Sequence, residues 1–284
     1  MKKGLALAMA LMMAAVTLGG AMAAEGAINV ISREDGSGTR GAFVELMGIE
    51  QKNESGEKVD MTTDEADITN STSVMMTSVA GNPNAIGYIS LGSLNETVKA
   101  LDIDGAAATV ENIKNGSYKI ARPFNVATRA DVTEPAKAFL DYILSAEGQA
   151  VVEANGYIAS VEDAQPYAGS GVAGKVVVAG SSSVTPVMEK LKEAYLAVNP
   201  NAEIEVQQSD SSAGMNSLKD GVCDIGMASR ALKDSELEAG LTPTVIAMDG
   251  IAVIVSPDNG CAGMTSDQVR AIYMGEIKDW AEVQ

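Results

Sequence analysis

The 284-residue sequence predicts an α/β protein with mostly parallel sheets and flanking helices. Three observations lead there. Short apolar runs rich in β-branched residues alternate with stretches of helical periodicity along most of the chain. Several of these runs end in Gly- and Ser-rich turns that open into the next helical stretch, as at residues 36–39 and 180–183. The apolar content is 46%, punctuated by 28 glycines, which suits a folded chain and not a disordered one.

In chain order, Ile28-Asn29-Val30-Ile31 is the first strand. Residues 32–40 form a turn, and a helix follows through Phe43, Val44, Leu46 and Met47. The polar stretch 50–67 reads as a surface excursion. Residues 71–79 read as a short helix, Asn82-Pro83-Asn84 as a turn and 85–89 as a buried strand. Small strands and turns are expected over 96–120, and an extended segment crossing between lobes over 122–127. Pro135 opens a helix with an apolar face of Phe139, Leu140 and Ile143. Ser145 caps a second helix that stops before Gly156. Residues 163–174, rich in Pro, Gly, Ser, Ala and acidic side chains, read as a linker.

A second strand-turn-helix unit follows: strand 176–179, turn Gly180-Ser181-Ser182-Ser183, and helix 185–198 with Pro186 near its start. Strand 204–206 and the turn 209–214 lead into a helix through Met215 and Leu218. Strand 224–227 ends at Ala228-Ser229-Arg230, and 251–255 is a strongly apolar strand. Thr265 and Gln268 fit a capping box for a helix containing Val269, Ile272 and Tyr273.

The first residues indicate a compartment. Lys2 and Lys3 precede an apolar run over 5–18 and then Ala21-Met22-Ala23, the order of a secretory signal peptide over 1–23. The competing reading is a membrane anchor, for which the run is short against the roughly 20 residues a spanning helix needs. Removal of such a leader leaves roughly 260 residues, enough for two lobes with cores of their own. The expected location is extracytoplasmic.

The net charge of −18 argues against nucleic acid or an anionic membrane as partner. It leaves a small anion open, because local donors decide such a site. The chain has no His, which removes Ser-His-Asp and Cys-His nucleophiles and most zinc sites. No metal and no cofactor are expected. Cys223 and Cys261 either pair, as exported proteins permit, or stand apart as small core residues.

Three hydroxyl-rich turns each precede a helix: 36–39, 181–183 and 209–212. The first turn of a helix leaves N–H groups without partners and carries partial positive charge. Gly admits close approach and Ser or Thr adds donors, so such turns suit an oxyanion. The alternative is ordinary N-capping, for which Ser is a preferred residue. None has the nucleotide P-loop pattern, so nucleotide hydrolysis is not supported. Arg33 and Arg230 stand at strand ends beside these turns. A planar guanidinium suits a tetrahedral anion, while Arg33 with Asp35 also reads as a salt bridge.

At these residues the chain resembles the periplasmic phosphate-binding proteins of ABC transporters. Ser32-Arg33-Glu34-Asp35-Gly36-Ser37-Gly38-Thr39 is similar to their signature turn, Gly180-Ser181-Ser182-Ser183-Val184-Thr185-Pro186 to their N-terminal turn, and Ser211-Ser212-Ala213-Gly214 to their second Ser-Ser-Gly turn. Segments 84–88, 224–230 and 275–280 match as well. The resemblance implies a two-lobed type II periplasmic-binding-protein fold with a ligand cleft between the lobes. It implies phosphate held by Ser181, Ser182, Ser183, Ser211, Arg33, Ser37, Gly38 and Thr39; Arg230, where this chain departs from the family, is a candidate charged donor in addition. ABC transporter permease subunits would be the partners of a monomer, and no enzyme activity is implied.

The order of these segments differs from the family's. There the Gly-Ser-Ser-Ser unit comes first, and joining Gln284 to Gly26 would restore that order. A circular permutation, a tandem piece out of register and a gene-assembly error are the three readings. On the permuted mapping, residues 26–122 plus 249–284 form one lobe, and 123–248 form the other through the linker 163–174.

One departure bears on selectivity. Many family members place an Asp about where Ser229-Arg230 stands, and such a carboxylate accepts the phosphate proton and repels sulfate. Asp210 is the candidate substitute acceptor; its other reading is an N-cap. Capture of another oxyanion, such as sulfate or molybdate, is therefore the competing function. A phosphoryl-transfer enzyme and a non-transport role of the same fold stand behind it.

Overall fold

The computed structural model describes residues 25–283, so the leader pattern at 1–23 lies outside the described residues. One twisted sheet runs through the molecule. Its strands follow the order Ala202–Ser209, Gly174–Ser181, Ile225–Ala228, Ala121–Thr128, Thr242–Val255, Ala85–Ser90, Asn29–Arg33, Asp67–Thr69. The outer pairs on both sides are parallel. The central pairs, involving Ala121–Thr128 and Thr242–Val255, are antiparallel. Parallel neighbours need helical crossovers, which matches the alternation in the sequence.

The strand Thr242–Val255 is longer than the apolar run at 251–255 suggests. Its first part pairs with Ala121–Thr128 and its last five residues with Ala85–Ser90, with an irregularity between Val245 and Ala247. It therefore passes from one side of the molecule to the other. Two apolar cores flank that passage. One gathers Val30, Phe43, Tyr88, Ile120, Ile251, Val253 and Trp280. The other gathers Phe124, Val126, Val178, Leu191, Ile225 and Ala247, with a satellite around Met215 and Leu218.

Local signals explain most helix starts. Ser37, Ser71, Thr133, Ser145, Asp210 and Thr265 each accept a backbone N–H in the first turn of the helix that follows. The Thr265–Gln268 capping box is present. The surface excursion contains a hairpin, Glu50–Lys52 with Lys58–Asp60, and then the edge strand Asp67–Thr69. These short polar strands carry no apolar alternation, which is why they read as irregular. A five-residue helix, Val110–Lys114, also falls in the stretch read as strands and turns.

The cysteines are both free: Cys223 lies in the satellite core and Cys261 against the first core. Among the described residues no helix is long and apolar enough to cross a membrane.

The two ends of the described chain lie side by side. Ile28 N donates to Lys278 O at 2.8 Å, Trp280 N to Gly26 O at 3.0 Å, and Ala27 bridges Asp279 in antiparallel fashion. Trp280 is buried, and its indole N–H donates to Asn84 O at 3.0 Å. Trp280→Ala is expected to lower the unfolding free energy by about 3–5 kcal/mol, read from urea denaturation.

Candidate functional site

The site is built where the first turns of four helices meet: Gly38–Leu46, Thr72–Ala80, Thr185–Val198 and Ser211–Lys219. The first two belong to the side of the first core and the last two to the side of the second. An aromatic group anchors the Arg33–Thr39 turn from below. The Phe43 and Tyr88 rings stack at 4.0 Å, and Tyr273 meets Phe43 edge-on at 4.9 Å. The Tyr88 hydroxyl accepts from Arg33 N at 3.1 Å and bonds Ser32 Oγ at 2.9 Å. Burial pushes the Tyr88 pKa up to about 12, so the hydroxyl stays neutral near pH 7.

Hydroxyls from both sides bond one another across the boundary. Thr39 Oγ1 lies 2.8 Å from Ser183 Oγ and 3.2 Å from Ser229 Oγ. Thr72 Oγ1 lies 3.1 Å from Ser183 Oγ and 3.3 Å from Ser182 Oγ. Within the second side, Ser181 Oγ donates to Ser229 Oγ at 3.0 Å. All of these side chains are buried.

Behind most of these hydroxyls stands an N–H that only donates. Ser37 Oγ accepts from Arg40 N at 3.2 Å, Ser181 Oγ from Ser183 N at 3.3 Å, and Ser211 Oγ from Ser229 N at 3.2 Å. Ser182 Oγ accepts from Thr72 N at 3.3 Å and from Arg33 Nη2 at 3.1 Å. Thr39 Oγ1 accepts from Arg122 Nη2 at 3.0 Å. A hydroxyl that accepts from an N–H cannot point its own hydrogen back at that donor, so the hydrogen is left for another acceptor. The cluster is thus biased to donate, and helix N-termini add to that bias.

The arginines divide by their partners. Arg33 is 2% exposed, and its guanidinium is gripped by both oxygens of Glu34, at 2.8 and 2.7 Å, while Nη2 reaches Ser182. Asp35 pairs instead with Arg40, whose Nη1 also donates to Arg33 O at 2.7 Å. The expected Arg33–Asp35 bridge is therefore replaced by Arg33–Glu34. Arg230 is held by both oxygens of Glu236 at 2.8 Å and touches Ser212 Oγ at 3.3 Å. No hydrogen bond links it to Ser181, Ser182, Ser183 or Thr39. Asp210 caps its helix, accepting from Ala213 N at 2.8 Å, and its carboxylate packs against Gly36.

The structure thus gathers Arg33, Ser37, Gly38, Thr39, Ser181, Ser182, Ser183 and Ser211, and leaves the Arg230 guanidinium and the Asp210 carboxylate in local pairs of their own. It also brings in Thr72 and Arg122, which the sequence does not single out, and Ser229, which stands where many family members place an Asp. Ser71-Thr72 carried a cap signal at the start of the helix read over 71–79. Arg122 carried none beyond its place in a crossing strand. Burial pushes the carboxyl of Asp249, its ion-pair partner at 2.6 Å, upward, and Arg122 opposes that shift.

A fold of two cores on one sheet, with a donor-rich polar site between them, defines a binding-protein architecture. The sequence matches the PBP superfamily domain over residues 15–147 and 165–284. The phosphate-binding protein PstS 2 of Streptococcus agalactiae is 57% identical over 260 residues, covering 91% of this chain and 88% of that protein. The phosphate-binding protein PstS of Pseudomonas aeruginosa is 32% identical over 143 residues, 44% of each chain. The crystal structure of a phosphate-binding protein of a phosphate ABC transporter from Streptococcus pneumoniae aligns with a TM-score of 0.71 at 42% identity, over 91% of this chain and 100% of that one. The chain belongs to the PBP superfamily and, within it, to the family of the PstS phosphate-binding proteins.

Gly38 shows how tightly the two sides meet. A Cβ there would fall 2.4 Å from Ser211 Oγ and 2.8 Å from Ser229 Oγ. Gly38 is the first residue of its helix, so Gly38→Ala gains little in helix propensity and wedges the boundary. It is expected to keep its far-UV dichroism and to show a larger radius of gyration than the parent in small-angle scattering.

Proposed function

We propose that this protein is an extracytoplasmic solute-binding protein that captures inorganic phosphate for the membrane subunits of an ABC importer. The observation that carries the proposal is the convergence of buried hydroxyls and Arg33 at four helix N-termini, most of the hydroxyls turned outward by a donor behind them. An oxyanion replaces the hydroxyl–hydroxyl bonds across the boundary with bonds to its own oxygens. Ser181, Ser182, Ser183 and Ser211 contribute from one side, and Arg33, Ser37, Gly38 and Thr39 from the other. Arg230 and Asp210 stand outside this shell because Glu236 and the helix cap engage them. The names of the relatives support binding and not catalysis. The protein acts as a single copy, its lobes formed by 26–122 with 249–284 and by 123–248. The separate cores support that division.

The reading includes a permuted segment order. Two observations support it. The Pseudomonas relative aligns over less than half of each chain, as exchanged halves require, while the Streptococcus agalactiae relative aligns nearly end to end. The backbone near residue 26 also runs beside that near residue 280, so a direct join there needs little rearrangement. The 91% coverage disfavours an assembly error, because that relative shares this order.

A second reading, capture of another oxyanion, has its own observation: no carboxylate hydrogen-bonds to the hydroxyl cluster among the described residues. A donor-only site has no group that refuses an unprotonated anion.

Calorimetric titration of ligand-stripped protein (residues 24–284) decides between them. Phosphate is expected to bind with sulfate at least about a hundredfold weaker, a gap of about 2.7 kcal/mol. Absence of heat with phosphate sinks the first reading, and sulfate binding within about tenfold favours the second. A chain that joins Gln284 to Gly26 and opens within 163–174 is expected to fold and to titrate like the parent. Failure to fold counts against the permuted order.

A further inference from the structure

A buried charge pair lies behind the proposed anion shell, and its Arg122 reaches that shell through Thr39 and Ser229. Arg122 and Asp249 are 3% and 1% exposed and face each other directly in the register of the two central strands. They stand where one apolar core gives way to the other, with Ile120 and Ile251 on one side and Phe124 and Ala247 on the other.

All three guanidinium nitrogens of Arg122 are engaged. Nη1 donates to Asp249 Oδ2 at 2.6 Å and to Gly250 O at 3.0 Å. Nε donates to Ser229 O at 3.1 Å, and Nη2 to Thr39 Oγ1 at 3.0 Å. The other Asp249 oxygen accepts from Gly92 N at 3.2 Å. The Phe124 ring covers the guanidinium at 5.1 Å. Stability alone does not account for such a pair, since apolar residues of the same volume commonly serve a protein interior as well or better. What an apolar pair lacks is the reach to two sides at once. Thr39 opens a helix of the first core, and Ser229 follows a strand of the second.

Arginine donates and never accepts. Its bond to Thr39 Oγ1 consumes a lone pair there, so the Thr39 hydrogen points at Ser183 Oγ, Ser229 Oγ or an anion in their place. Its bond to Ser229 O fixes the backbone of the residue whose N–H supports Ser211 Oγ.

We propose that Arg122 is a positioning residue for anion capture, which orients the Thr39 hydroxyl as a donor and sets its spacing from Ser229, with Asp249 balancing the charge. The inference rests on the phosphate reading above.

The test compares the parent with Thr39→Val, Arg122→Lys, the charge-free pair Arg122→Met/Asp249→Leu, and that pair combined with Thr39→Val. Phosphate titration is expected to show about tenfold or weaker binding for the pair variant, the scale of one charge-assisted hydrogen bond. Adding the pair to Thr39→Val is expected to cause a loss well below the product of the separate losses, because Arg122 acts chiefly through Thr39. A folded pair variant within about threefold of the parent overturns the proposal, as do losses that multiply, which a merely structural role would give. Should the pair variant not fold, Arg122→Lys decides alone: a Kd within about threefold of the parent overturns the proposal, and about tenfold or weaker binding supports it. A parent that gives no heat with phosphate fails the functional reading and this inference together. A binding parent with indifferent variants fails only this inference.

Discussion

The antiparallel pairing of Ala121–Thr128 with Thr242–Val255 joins the two apolar cores into one molecule, and the other features of the fold are arranged around it. These strands serve the second core at Phe124, Val126 and Ala247 and the first at Ile251 and Val253. Hydrogen bonds in this ladder fix the register in which the two cores face each other. The site lies beside this crossing, where the facing turns of the two cores come into hydrogen-bond contact.

Polar groups at such a boundary must be satisfied, because an unpaired buried hydroxyl costs about 1–3 kcal/mol. Here most are satisfied from behind by an N–H: Arg40 N for Ser37, Ser229 N for Ser211, Thr72 N and Arg33 for Ser182. The same arrangement that keeps them stable when buried orders their hydrogens. Stability and donor polarity therefore have one source. The acidic surface, with a net charge of −18, does not oppose this, since donors at contact distance outweigh screened charges beyond a Debye length of about 8–10 Å.

Much of this was legible along the chain. The Gly-Ser turns, the caps at Ser145 and Thr265 and the crossing segment at 122–127 depend on residues only a few positions apart. The capping reading of the turns holds at Ser37, which caps its helix and lies buried next to Gly38, and at Asp210, which is occupied as a cap. The arginines were harder. Arg33 beside Asp35 reads as an ion pair, yet Glu34 takes it because Arg40 reaches Asp35. Arg230 has an acidic partner six residues on, beyond the range of a strand-end pattern.

The sequence by itself determined the class of fold, the hydroxyl-rich turns and the family to which they belong, since each is written in short segments whose conformational preferences are local. Only the tertiary structure decided which donors meet. Thr39 and Ser183 are 144 positions apart, Thr72 and Ser182 are 110, and Arg122 and Asp249 are 127. Sheet register brings such pairs together, and register is set by the burial of two whole cores, a property that no local stretch of chain carries.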